Sequence, residues 1–242
     1  MALRCYLAMT AAEFQGVDVL PPHPGWMACH FSCYGLGLSN LPKVLPEGAM
    51  VIVNDRTPVN QHNPEVILQQ LLALIDALHP SCFLLDFQRP AQPQAAEITR
   101  VLTEKLPCPV GVSQLYAEDL NCPVFLSPPP LHKPLKEYLQ PWQGRPIWLE
   151  AALTAQTVTV TKDGSCFEPV QYTCLPEPSF CDDELYCRYH IDCQPDAATF
   201  TLQRDQALLE TMLEEAETLG VELAVGLYQQ LGSIANSAPL RG

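Results

Sequence analysis

A chain of 242 residues with 48% apolar residues can bury a sizeable core, as one large domain or two small ones. A formal charge of −14 sets it against nucleic acid and anionic membrane as partners. No apolar run reaches the ~20 residues that cross a bilayer. The apolar part of Met1–Met9 is too short for a signal peptide and is interrupted by Arg4, so the expected compartment is the cytoplasm. There the eleven cysteines read as reduced thiols, and Cys5, Cys29, Cys82, Cys108 and Cys122 sit in apolar runs as small hydrophobes. Two Cys/His groupings have near-ligand spacing, Cys29-His30-Cys33 and Cys187-His190-Cys193. In the second, strand alternation puts His190 on the face opposite Cys187 and Cys193. The expectation is no metal and no cofactor.

Short apolar runs recur along the chain: Leu3–Met9, Trp26–Tyr34, Ala49–Asn54, Cys82–Phe87, Cys108–Val112, Pro123–Leu126, Pro146–Ala151 and Glu222–Tyr228. They are continuous rather than alternating, as strands covered on both faces require. Helical patterns separate several of them. Asn63-Pro64-Glu65 supplies an N-cap, a first-turn proline and an early carboxylate, followed by Ile67, Leu68, Leu71, Leu74, Ile75 and Leu78 at helical spacing. Gln94–Leu106 carries Ile98, Val101 and Leu102 on one side. Asp205 caps a third pattern that ends at Gly220. Strands alternating with helices predict parallel βα units, and eight strands predict closure into a (β/α)8 TIM-like barrel. The barrel is expected to be degenerate, because Ser39–Gly48, after the second run, carries two prolines and no helix pattern, and the link after the fifth run is short. An open doubly wound parallel sheet is the alternative.

Residues 155–204 break the rhythm. Thr157 to Thr161 alternates, Asp163-Gly164 makes a turn, and a second alternating pair runs through Leu185–Asp192 and Thr199–Leu202. This stretch reads as an inserted antiparallel β-hairpin module between the seventh strand and its helix, within a single barrel domain spanning residues 1–242.

The working end of such a barrel is the C-terminal rim of its strands. There the sequence collects Asp55 and Arg56 after the third run, and Asp86, Gln88 and Arg89 after the fourth. Tyr116 follows the fifth, Trp148 and Glu150 lie in the seventh, and Tyr228 and Gln229 close the eighth. His30 lies near the end of the second. Acids, amides, arginines and aromatics converging on one rim suit a hydroxyl-rich ligand, bound through paired hydrogen bonds and ring stacking. A small molecule or oligosaccharide is therefore the expected partner. Glu150 between Leu149 and Ala151 must either find a cation or face a wet cavity.

The segment Ser81-Cys82-Phe83-Leu84-Leu85-Asp86-Phe87-Gln88 resembles the fourth-strand signature of family 18 glycoside hydrolases, the chitinase group, which reads Asp-x-x-Asp-x-Asp-x-Glu. In that alignment Asp86 keeps the last aspartate, Leu84 and Ser81 replace the other two, and Gln88 replaces the glutamate that protonates the leaving oxygen. The resemblance implies a glycoside-hydrolase-like barrel that binds or hydrolyses a carbohydrate. With Gln88 in place, it also implies a non-catalytic chitinase-like protein that interacts through the inserted β module. A second barrel arrangement pairs carboxylates on the fourth and seventh strands, about 5 Å apart in retaining glycosidases. Asp86 and Glu150 are the candidates for that catalytic pair. Asp55, Arg56, Gln88, Arg89, Tyr116, Trp148, Tyr228 and Gln229 are the candidates for substrate binding.

Overall fold

The structure is a computed structural model that describes residues 3–59, 61–90 and 92–237. In chain order the first elements are β1 (Arg4–Met9), α1 (Ala11–Gly16), β2 (Pro24–Phe31), β3 (Leu38–Ser39), β4 (Met50–Asn54) and α2 (Pro64–Leu78). Then come β5 (Cys82–Asp86), α3 (Pro93–Lys105), β6 (Val110–Ser113), β7 (Val124–Leu126), α4 (Leu135–Leu139) and β8 (Ile147–Ala151). The next group is β9 (Ala155–Thr161), β10 (Gly164–Pro169), β11 (Phe180–Asp182), β12 (Cys187–Gln194) and β13 (Ala197–Gln203). Last are α5 (Gln206–Thr218), β14 (Val221–Leu227) and α6 (Tyr228–Ser237). The chain forms two compact units, one of residues 1–127, 144–150 and 221–242, the other of residues 128–143 and 151–220.

The first unit is a closed barrel. Its eight barrel strands run in the order β1-β14-β8-β7-β6-β5-β4-β2, and β1 pairs parallel with β2, joining Leu7 to Pro24 and Met9 to Trp26. Closure rules out the open doubly wound sheet. All eight predicted runs form these strands. The barrel is degenerate where expected: β2 leads into the two-residue antiparallel β3, and β6 leads to β7 through a single 3-10 turn at Gln114–Tyr116.

Two-residue alternation divides the strands between interior and exterior. Tyr6, Ala8, Met50, Ile52, Cys82, Leu84, Trp148, Leu223 and Val225 pack together inside, with Phe125. The intervening Val51, Val53, Phe83 and Leu85 are buried on the outer face. Helix α2 forms as its sequence dictates. The Asn63 side chain accepts from the Glu65 N–H, Pro64 occupies the first turn, and His79 closes the helix in the left-handed region at φ 50°.

The second unit is built on a five-stranded antiparallel sheet in the order β10-β9-β13-β12-β11. Both predicted hairpins are present, but they are joined. The central pairing runs between β9 and β13, from Ala155 against Gln203 to Thr161 against Ala197. Leu131, Cys187 and Leu202 form its buried centre, with Val158, Tyr189 and Phe200 packed beside them. Arg204 is buried with only 1% exposure. Its guanidinium donates to the carbonyls of Tyr186, Leu185 and Pro129 at 3.0–3.2 Å. Burial lowers its pKa to about 10, and the three carbonyls supply the hydrogen bonds that a buried cation requires. No helix among the described residues is long and apolar enough to cross a membrane.

Candidate active site

The alternation that fills the barrel also builds its mouth. Met50 and Ile52 point inward on β4, so the next inward residue is Asn54. On β5, Cys82 and Leu84 are followed by Asp86, which lies opposite Asn54 in register. On β8, Trp148 is followed by Glu150. Asn54, Asp86 and Glu150 therefore form the first polar layer above an apolar core, at the C-terminal ends of their strands. They line one cavity of about 690 Å³, a volume suited to a small ligand. Ile52, Leu84, Phe125 and Val225 form its floor. Asp55, Arg56, Gln88, Arg89, Thr10, His30 and Asn40 contribute to its walls.

Asp55, 5% exposed, is a brace. Its two carboxylate oxygens accept from the backbone N–H groups of Gln88 and Arg89, at 3.0 and 2.8 Å. Arg89 returns two bonds of 2.8 Å, from Nε to the Asp55 carbonyl and from Nη2 to the Arg56 carbonyl. The loops after β4 and β5 are thus tied together by four bonds, and the Asp55 carboxylate is largely spent on them. Asp55→Ala leaves two backbone donors without acceptors and is expected to cost about 2 kcal/mol. Urea denaturation measures the loss, and hydrogen exchange should show the Gln88 and Arg89 amides losing protection first.

Asp86 and Glu150 are half-buried. Burial pushes Asp86 above the ordinary aspartate range, and the Asp55 charge adds to this. The Gln88 side-chain amide, which donates to Asp86 Oδ1, opposes it. The Glu150 carboxyl has no hydrogen-bond partner among the described residues. Burial first, and then the Asp86 charge, raise its pKa to about 7. The two carboxyl groups thus share a cavity under different influences, one steadied by an amide and the other left to be protonated near neutrality.

Four of the expected binding residues do not line this cavity. Trp148, 2% exposed, lies one inward step below Glu150 in the barrel core. Tyr116 is buried beneath the loop after β5; its hydroxyl accepts from Gln92 N and meets the carbonyls of Arg89 and Pro90. Tyr228 and Gln229 start α6, and Leu227 is the residue that reaches the cavity. The wall residues outside the expected set are Thr10, His30, Asn40 and Asn54. Thr10 carries a readable signal, a capping box with Glu13 at the start of α1. Asn54 donates to the Met27 carbonyl and accepts from Arg56 N, both at 3.1 Å, and so joins β2 to the loop after β4.

No protein-family model matches the chain, and no curated protein sequence matches it. Solved structures do. The spore cortex-lytic enzyme SleL of Bacillus cereus superposes with a TM-score of 0.57 at 9% identity, over 93% of this chain and 70% of that one. SleL of Bacillus megaterium gives 0.54, also at 9% identity and with the same coverage. A chitinase from Chromobacterium violaceum gives 0.52 at 7% identity, over 93% of both chains. At these identities the likeness is one of backbone: the chain shares the (β/α)8 barrel fold of these enzymes.

Proposed function

We propose that the cavity at the C-terminal mouth of the barrel binds a carbohydrate, and that Glu150 and Asp86 hydrolyse a glycosidic bond within it. The observation that carries this reading is the meeting of the two carboxyls in one cavity, with Glu150 poised near pH 7. In the reaction Glu150 gives its proton to the glycosidic oxygen as the bond to the anomeric carbon breaks. The Asp86 carboxylate stabilises the positive charge left on the sugar, and water adds its hydroxyl to the anomeric carbon while its other proton passes back to Glu150. Gln88 holds no acid proton, and its amide is engaged with Asp86. The proton donor therefore comes from β8 rather than from the strand end of β5. Asn54 and Gln88 supply donors and acceptors for sugar hydroxyls. With Trp148 in the core, sugar recognition in this cavity rests on hydrogen bonds more than on ring stacking.

A second reading, binding without hydrolysis, is favoured by that same amide at the position of the family's acid. One experiment separates them. The purified protein is incubated with chitotetraose, cellotetraose and maltotetraose, and both melting temperature and released reducing ends are followed. The hydrolytic reading expects a sugar that raises the melting temperature and is cleaved, with cleavage lost in Asp86→Asn and Glu150→Gln. A raised melting temperature without cleavage leaves the binding reading. If no oligosaccharide shifts the melting temperature, both readings fail.

A further inference from the structure

Strand β2 does not pair evenly with β4. Its register shifts between Trp26 and Cys29, and the two residues inside this irregularity, Met27 and Ala28, line the cavity. Bulges of this kind re-aim the strand that carries them. Here the re-aimed strand delivers His30 to the cavity wall, where a second residue meets it. Asn40 follows β3 in the left-handed region, at φ 58°. Its carbonyl accepts from the Trp26 indole at 2.9 Å and from the Cys29 thiol at 3.6 Å, across the irregular stretch of β2. Its side-chain amide donates to His30 Nε2 at 3.1 Å. His30 Nδ1 donates in turn to the Phe31 carbonyl at 2.9 Å. These two bonds require the neutral imidazole with its proton on Nδ1.

Resting on the carbohydrate reading of this cavity, we propose that Asn40 is a ligand-binding residue that selects a neutral sugar ring by a vicinal pair of hydroxyls, and that His30 is the positioning residue that aims it. One amide hydrogen of Asn40 is committed to His30. Among the described residues the other hydrogen and the Oδ1 lone pairs have no partner, leaving a donor and an acceptor on the one amide. Adjacent ring hydroxyls complement that pair, one accepting and one donating. The backbone strengthens the argument. Glycine occupies the left-handed region at no steric cost and would keep the carbonyl bonds to Trp26 and Cys29. The side chain at position 40 is therefore dispensable to the turn, and its contacts are with His30 and the cavity.

The test uses Asn40→Gly, because that substitution suits the backbone and removes only the amide. The account expects an unchanged or higher melting temperature and affinity about tenfold weaker for whichever of cellotetraose and maltotetraose the wild type binds, whereas chitotetraose, whose internal rings carry no two adjacent free hydroxyls, should bind less well and lose little; a wild type that prefers chitotetraose would overturn the assignment. His30→Ala should weaken the same sugar to a similar degree, and both variants should alter the ranking of the three sugars. Nitrogen-15 NMR of the imidazole should show the Nδ1-protonated tautomer in the wild type and a lost Nε2 hydrogen bond in Asn40→Gly. Affinity and ranking unchanged in a stable Asn40→Gly protein would overturn the assignment while leaving the carbohydrate reading intact, and an Nε2-protonated His30 would overturn the positioning role. A wild type that binds none of the three sugars sinks the carbohydrate reading as well.

Discussion

Glu150→Gln is expected to abolish cleavage while making the protein more stable above neutral pH. The loss of activity follows from removing the proton donor, typically a factor of about 10²–10⁴. The gain in stability follows from linkage. The Glu150 pKa is about 7 in the folded protein against an ordinary 4.5. Below pH 4.5 both states hold the proton, and the group does not affect folding. Between 4.5 and 7 the unfolded chain has released its proton and the native state has not, so stability falls as pH rises. Above 7 the full cost is present, about 2–3 kcal/mol after allowance for partial exposure. Glutamine keeps the shape without the charge. The difference in unfolding free energy between variant and wild type should therefore be near zero at pH 4 and grow to its limit by pH 8. Denaturant titrations at pH 4, 6 and 8 measure it. A difference that does not vary with pH would mean that Glu150 ionises as an ordinary surface carboxylate, and the proposed proton donor would be lost.

Trp148→Ala is expected to cost about 3–5 kcal/mol, the largest stability loss predicted for a single change in this barrel. The indole lies in the core, directly against Gly111 of β6. A Cβ added at Gly111 would overlap the indole ring, so Gly111→Ala should itself cost about 1–3 kcal/mol through overpacking. The two losses should not add. With the indole removed, the methyl introduced by Gly111→Ala has room, and the double variant should be more stable than the sum of the single changes predicts. Urea denaturation of the four proteins supplies the cycle. Additive losses would show that the ring does not depend on the bare backbone at Gly111. The same experiment separates a core tryptophan from a ligand platform, since a stacking residue at a mouth could be removed with little loss of stability.

The contrast between Trp148 and Glu150 shows where the sequence is informative. Continuous apolar runs located all eight strands, because a strand covered on both faces has no polar side to betray its ends. The same runs put Asp86 and Glu150 at the C-terminal ends of their strands, and in the fold alternation turns both to the inward face, two residues beyond Leu84 and Trp148. Alternation gives the face but not the depth, and depth decides whether an aromatic side chain stacks on a ligand or fills the barrel. Trp148 went to the core because Gly111, 37 positions earlier in the chain, leaves room for it. Tyr228 could have been excluded by the same alternation, since Val225 and Leu227 take the inward positions of β14. The two hairpins were readable from their own turns. Their union through β9 and β13 was not, because the strands that pair lie about 40 residues apart and no local signal marks them. Asn40 was hidden for a related reason: its place at the cavity depends on a left-handed turn and on an irregular strand that only the folded chain brings beside it.

The central claim is that a carbohydrate occupies the mouth of the barrel between Asp86 and Glu150. The most direct test is a crystal structure of the Glu150→Gln protein soaked with the oligosaccharide that most raises its melting temperature. The account predicts a sugar ring in the 690 Å³ cavity, with its glycosidic oxygen within hydrogen-bonding reach of residue 150 and Asp86 beside the anomeric carbon. Density for the sugar on the antiparallel sheet, with the barrel mouth unoccupied, would contradict it, as would the failure of every oligosaccharide tested to bind.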